Sequence, residues 1–560
     1  MNDNRKTRWL TAVLCVLVTT IAVIPFFYLG EDRAVGCCGG AMPITHDAWM
    51  HYNQMNAFAR GLSAGRIYPR WDEATDKGYG APVTSFYPPG VYYLTSLAYA
   101  VTRDWIRTWM LSYWLMSFAA AWAMYVYARR HLTRTAAWLA MAAYTIAPYH
   151  LLNQYQRGAQ SELLSFVWMP LCLLFAERLP ESLKDESPRM RAALGLAASY
   201  GAFLWSHPPT AYQFTLVAGV CLLVRIVWLR QWRALGWITL SLIGGSLLAA
   251  AYLYPAFLEQ HLIHADSVNH TWPYHQTYVF DYVQTTFKRD DWFYARVDWL
   301  WFSATALLFS LSAASAWPRC RAGYQPALHL GIGTLAAFLM TRLSFPIGQL
   351  IPHIEIGVFA WRMLGLTSLA LALLIGACWQ AAGGRRILAI LATCGLIGIS
   401  FYNVVWPMVR GEAFVPNPQH FNFATLPATA PREVPERATI QFAHEDAGSA
   451  QVITWQPEYR IVNVHVPQAT QMLWRTFDYP GWRLTVDGQV TPHTRGAYGE
   501  IVLLIAAGNH QVIAEFRATP IRAASNWITV IAAIIWLLLF FNSFKITSGR
   551  QQHATVGETF

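Results

Sequence analysis

The chain is poor in charge. Lys, Arg, Asp and Glu together supply only 13% of its 560 residues, about half the share of a soluble domain, so most of the chain must sit in lipid. Cysteine builds no framework. Cys15, Cys172, Cys221, Cys378 and Cys394 fall in apolar runs as small hydrophobes, and Cys320 lies in a basic loop. The adjacent Cys37 and Cys38 would make a strained bridge. Metal-type cysteine spacing is missing. So is a phosphate-cradling loop: residues 78–90 carry glycines but no lysine and no strand–helix context. A cleavage site is also lacking. Residues 1–8 are basic and 9–29 apolar, a full span rather than a short signal core, which reads as an uncleaved anchor with a cytoplasmic N-terminus.

What is present is apolar and aromatic. Hydrophobic residues make up 55%, with 26 Trp and 27 Tyr suited to interfacial belts and to sugar-stacking surfaces. The formal charge of +10 fits basic anchors on cytoplasmic loops rather than a nucleic-acid partner. Apolar runs at about 9–29, 108–128, 135–151, 163–179, 192–207, 210–229, 234–254, 298–317, 326–341, 361–380, 386–406 and 524–544 predict twelve spans. The run at 86–101 is read as a helix lying on the outer surface, because that keeps every strong basic cluster inside; thirteen spans is the alternative. Outer loops then fall at 30–107, 152–162, 206–210, 255–297, 342–360 and 407–523.

From 437 to 519 the pattern changes to strict alternation, with Asp487-Gly488 and Gly508-Asn509 as turn signals. The expected fold is an α-helical polytopic membrane protein with a C-terminal extracytoplasmic β-sandwich. Its parts are a transmembrane module at 1–410, a Pro-rich linker at 411–436, the sandwich at 437–522, and a final helix with a cytoplasmic tail at 523–560.

The polar motifs gather on the outer side. Asp47 can act as a general base toward an acceptor hydroxyl, hold a divalent cation, or merely cap the helical run at 48–62. His51 lies four positions on, on the same helical face, and His46 is adjacent. The turn at 78–90 brings Tyr79 and Tyr87 as an aromatic wall. Arg157 and Glu162 sit at a span boundary, where charges must be paired or wet: either a structural ion pair, or a phosphate-binding Arg with an auxiliary carboxylate. His207 is at the same level. Arg362 opens a span, against the helix dipole, so it needs an anion such as a phosphate unless it snorkels outward. The loop 255–297, with His261, His264, His270, His275, Asp281, Asp290 and Asp291, reads as a polar lid.

The order His-Asp-x-x-x-His, Tyr-Pro-Arg-Trp, Gly-Tyr-Gly-x-Pro, Phe-Tyr-Pro-Pro-x-x-Tyr-Tyr, Arg-Gly-Ala-x-Ser-Glu and Ser-His-Pro resembles the YfhO-like and "6-pyruvoyl-tetrahydropterin synthase-related" bacterial multi-spanning membrane proteins. These are similar to the GT-C superfamily of glycosyltransferases. The tail Phe477-Asp-Tyr-Pro-Gly-Trp482 and Val486-Asp-Gly488 resembles the YfhO-type outer β-domain. The resemblance implies a GT-C-like fold in the bacterial inner membrane with the site on the outer face. By position Asp47 matches the family's catalytic acid, and the donor would be a polyprenyl-phosphate sugar. The acceptor would be a cell-envelope glycan, lipid or protein. The family's frequent paired carboxylates are not matched, since His46 precedes Asp47 and the next acid is Asp72; a divalent cation is therefore left open. In this reading Asp47, His51, His46 and Glu162 are catalytic, and Arg157, Arg362, His207, Tyr79 and Tyr87 bind substrate. The alternative is a non-catalytic protein that binds or flips lipid-linked sugars or serves envelope assembly. A transporter fits less well, because the ionisable residues sit at helix ends rather than centres.

Overall fold

The computed structural model describes residues 3–24, 45–183, 185–265, 277–280, 291–315, 326–354, 359–381, 384–406 and 425–556. Cys37, Cys38, Cys320, His270, His275, Asp281 and Asp290 lie outside the described residues, and with them most of the expected lid.

In lipid each backbone polar group has to be satisfied within its own segment, and the apolar runs fold as helices. Gln160–Glu181, Pro208–Trp228, Ala360–Gln380 and Pro520–Ser543 are long and apolar enough to cross a membrane. A fifth span results if Trp232–Leu248 and Ala250–Leu258, bent by 81°, count as one. Among the described residues, length and apolarity thus support four or five of the twelve expected spans. Some apolar runs break into shorter pieces: the run at 135–151 becomes Arg134–Thr145 and Pro148–Leu152, because Pro148 cannot continue the first helix and opens the second. The 86–101 run forms the 13-residue helix Gly90–Thr102, about 20 Å long at 1.5 Å per residue. It packs on Ala48–Ser63 and Trp105–Ala128.

Burial sorts the helices. In Leu364–Gln380 every residue from Leu364 to Cys378 is buried, the mark of a helix apolar all round and enclosed by others. The C-terminal helix Pro520–Val556 instead shows Trp527, Leu538 and Phe541 on its exterior.

The C-terminal β-domain has two antiparallel sheets. Strands β1 Ile440–Phe442, β2 Ser449–Gln456, β3 Tyr459–Val466, β4 Thr470–Phe477, β5 Trp482–Val486, β6 Gln489–Val490, β7 Thr494–Arg495, β8 Glu500–Ile505 and β9 Gly508–Phe516 form the orders β1-β4-β8-β7 and β2-β3-β9-β5-β6. Asp487 and Gly488 both have positive φ (48° and 81°) and join β5 to β6, as a two-residue hairpin requires. Gly508-Asn509 is not the expected turn: these residues are the first rungs of β9, paired with Val466 and His465.

The sheets do not close their core alone. Trp71, Tyr79, Ala81 and Val83 of the first loop, and Leu426, Ala430 and Val434 of the expected linker, are buried in the same cluster as Trp474, Trp482 and Phe516. The described part of that linker thus sends three apolar side chains into this core while Ala428, Thr429, Arg432 and Glu433 face outward. Glu458, in the β2–β3 turn, accepts from the amides of Arg70 (2.5 Å) and Trp71 (3.2 Å). At the other side, buried Arg522 donates to Glu259 (2.8 Å) and to the Tyr479 hydroxyl (3.0 Å).

Candidate active site

The helix Pro148–Leu152 runs into a π-helical turn, Asn153–Arg157, a geometry frequent at functional sites. Gly158 ends it in the left-handed region at φ 66°. A Cβ there would run into the Thr45 hydroxyl and lie 3.2 Å from the Ala48 amide. The first loop therefore rests directly on this turn. The His46 amide donates to the Gln156 carbonyl (3.1 Å), and the Asp47 amide to the Arg157 carbonyl (2.7 Å).

Above this strap lies a buried ionic cluster. Glu162, 1% exposed, accepts at Oε2 from Arg157 Nη1 (2.5 Å) and Arg362 Nε (3.1 Å). Its Oε1 accepts from the Tyr149 hydroxyl (2.5 Å) and Asn153 Nδ2 (3.5 Å). Asn153 Oδ1 also accepts from Arg157 (2.5 Å). Arg362 does not snorkel: it is buried, stacked over Phe359 at 4.8 Å, and its counter-anion is Glu162. With both oxygens engaged, Glu162 holds the two guanidiniums side by side.

Asp47 stands beside this clamp. It occupies the position before helix Ala48–Ser63, yet its side chain makes no capping bond; the Thr45 hydroxyl serves the Ala48 amide instead (3.1 Å). Burial pushes the Asp47 carboxyl up to about 6, opposed by Arg157 and Arg362 and reinforced by Glu162, all within electrostatic reach. His46 and His51 are both driven down to about 3 by burial and by Arg157. Both imidazoles are therefore neutral at ordinary pH. Tyr87 also joins the cluster: burial raises its phenol, and Asp47, Arg362 and Arg157 all act on it.

Other expected residues are placed differently. The His51 Nδ1 pairs with the Tyr92 hydroxyl (3.1 Å), so that nitrogen does not orient Asp47. The His207 Nδ1 accepts from the Thr210 amide (3.3 Å) and faces its hydroxyl (2.7 Å), capping helix Pro208–Trp228, while the ring stays within electrostatic reach of Arg362, Glu162 and Arg157. That role leaves the proton on Nε2. Tyr79 is not brought to the cluster; it packs on Phe477 at 5.1 Å in the β-domain core. Asp72 accepts from the Ala74 amide (3.0 Å) and the Thr75 hydroxyl (2.8 Å), within its own loop. His264 meets the Ala430 carbonyl (2.9 Å) rather than the cluster.

Tyr149 and Asn153 were missed by sequence reasoning. The signal was there: Tyr149, Asn153 and Arg157 follow one another at four-residue intervals, the spacing that lines one helix face.

A divalent cation does not fit the outer cluster as it stands. Both Glu162 oxygens already accept two hydrogen bonds, and the positive charge of Arg157 and Arg362 reaches Asp47. Among the described residues, three His and Glu ligand atoms converge at His131, Glu177 and His329 instead.

The sequence matches no family model and no curated protein. Solved structures of similar course include the oligosaccharyltransferase AglB from Archaeoglobus fulgidus in complex with an inhibitory peptide and a dolichol-phosphate (14% identity, TM-score 0.44, 72% of this chain and 56% of that one). Another is ArnT from Cupriavidus metallidurans bound to undecaprenyl phosphate (13%, TM-score 0.41, 71% and 75%). A third is the arabinosyltransferase EmbB from Mycobacterium smegmatis (11%, TM-score 0.38, 92% and 64%). The chain spans little more than half the length of the oligosaccharyltransferase. At this level the likeness carries no assignment.

Proposed function

We propose that this membrane protein transfers a sugar from a polyprenyl-phosphate donor to a hydroxyl or amide of a cell-envelope glycan, lipid or protein, at the outer face of a bacterial inner membrane. The observation that carries the reading is Asp47: a buried carboxyl that caps no helix, is poised near neutral pH, and stands beside two clamped arginines. A general base works best with a pKa near the operating pH.

For a hydroxyl acceptor, Asp47 takes the acceptor proton as the acceptor oxygen attacks the anomeric carbon. The bond from that carbon to the phosphate oxygen breaks, and the lipid phosphate leaves with the electron pair. A single displacement of this kind inverts the anomeric centre. Arg157 and Arg362 stabilise the charge growing on the departing phosphate. A guanidinium has five N–H donors, so pairing with Glu162 does not exhaust either one. Tyr87 stands where it can orient the sugar.

The test uses the full chain in proteoliposomes with a polyprenyl-phosphate sugar, followed by mass spectrometry of lipid and acceptor. Wild-type protein should consume donor and Asp47→Asn should not, at equal folding and with donor binding undiminished. Equal turnover by both proteins would sink the assignment.

A further inference from the structure

At the other end of the helix that carries Glu162, a second buried carboxylate gathers a different company. Glu177 is fifteen positions further along Gln160–Glu181, about 22 Å away at 1.5 Å per residue. His131 lies just beyond helix Trp105–Ala128, and His329 on Pro326–Leu339. We propose that His131, Glu177 and His329 form a binding site for a divalent transition metal of the zinc class, which ties three helix ends together remote from the Asp47 cluster.

The geometry fits such an ion. His131 Nε2 lies 3.2 Å from Glu177 Oε2, and His329 Nε2 lies 3.8 Å from Glu177 Oε1. All three donor atoms fall within 4.8 Å of one another. Tetrahedral zinc with bonds of about 2.0–2.2 Å sets its ligand atoms roughly 3.4 Å apart, so the set needs only a small contraction. Two imidazole nitrogens and one carboxylate match borderline ions such as zinc or cobalt; magnesium and calcium ask for oxygen. The Tyr127 hydroxyl bridges two of these atoms, donating to Glu177 Oε1 (2.6 Å) and meeting His329 Nε2 at 2.5 Å, and would have to turn aside for the ion.

The surrounding charge permits it. Arg130 Nε is 3.5 Å from Glu177 Oε2, but Arg130 is also paired with Glu181 and donates to the Glu177 carbonyl (3.1 Å). Arg225 is 3.8 Å from Glu177 and has a 31% exposed side chain, free to turn outward. The two imidazole rings meet edge to face at 5.1 Å between centroids.

The purified full chain is loaded with zinc, desalted and assayed for metal by mass spectrometry; about one zinc per chain is expected, as for a site whose binding is coupled to the folded state. His329→Ala and Glu177→Gln should lower retained zinc to background and abolish the chelator-induced drop in thermal stability seen in the parent. Cobalt loading of the unaltered chain should give the intense visible bands of a tetrahedral centre, a readout that needs no variant to fold. Absence of retained zinc in the parent, equal retention by His131→Ala/His329→Ala, or a weak six-coordinate cobalt spectrum would each overturn the proposal. None of these readouts involves sugar transfer.

Discussion

The backbone amide of Asp47 donates to the carbonyl of Arg157 across 2.7 Å. With the His46–Gln156 bond beside it, this bond joins the loop that carries the proposed base to the π turn that carries one of the two arginines proposed to bind the phosphate. The separation between base and leaving-group pocket is therefore fixed by the main chain rather than by flexible side chains. Such fixed placement is what a single displacement needs.

Asp47→Asn keeps the volume and removes the proton acceptor. We expect turnover to fall by about 10²- to 10⁴-fold, the usual contribution of a positioned base, with the lipid donor bound as tightly as the parent binds it below pH 6. Initial rates and equilibrium binding in the same vesicles check both halves.

The dependence on pH should be opposite for the two steps. Asp47 accepts a proton only when ionised, so kcat/KM should rise with pH through about 6 and level off above it. Below that value Asp47 is neutral, and the cluster of Glu162, Arg157 and Arg362 carries a net positive charge, so the lipid phosphate should bind more tightly. Rate and binding profiles from pH 4 to 8 test this; in Asp47→Asn both inflections should vanish.

Glu162→Gln leaves two buried guanidiniums facing each other. Breaking a buried pair from one side costs about 3–5 kcal/mol, and the loss should appear as a lower thermal midpoint. Arg362→Lys keeps charge but loses the planar fork. It should lower kcat/KM roughly tenfold or more, the scale of a lost hydrogen bond to a charged group.

Gly158→Ala tests the strap. A Cβ meets Thr45, and the left-handed conformation costs a non-glycine residue about 1–2 kcal/mol. The amides of His46 and Asp47 should exchange hydrogen faster while the helices keep their protection. A variant with unchanged exchange would show that the loop is held by other means.

Much of this site was legible in the chain because charge is rare there: Arg157, Glu162 and Arg362 stand out against apolar runs, and lipid forces them into contact. Glu162's role was not legible, since it depends on how many donors reach it, and two of those donors, Tyr149 and Asn153, look like ordinary interfacial residues. Tyr79 reads as a site residue because a sequence cannot tell which of two cores an aromatic ring will enter. The β alternation was clear, yet the first loop's share of that core was invisible, because nothing local marks a contact between residues so far apart.

That share has a consequence for how the protein is made. The ring of Trp71 lies 5.3 Å from that of Trp482, a pairing across roughly 400 residues, and such distant contacts are slow to form. The first loop leaves the ribosome early and must wait, its aromatic rings unsheltered, until the last strands arrive to receive them. Assembly of the outer surface is then the closing event of biogenesis, and a chain cut short before β5 would carry a loop with nowhere to dock.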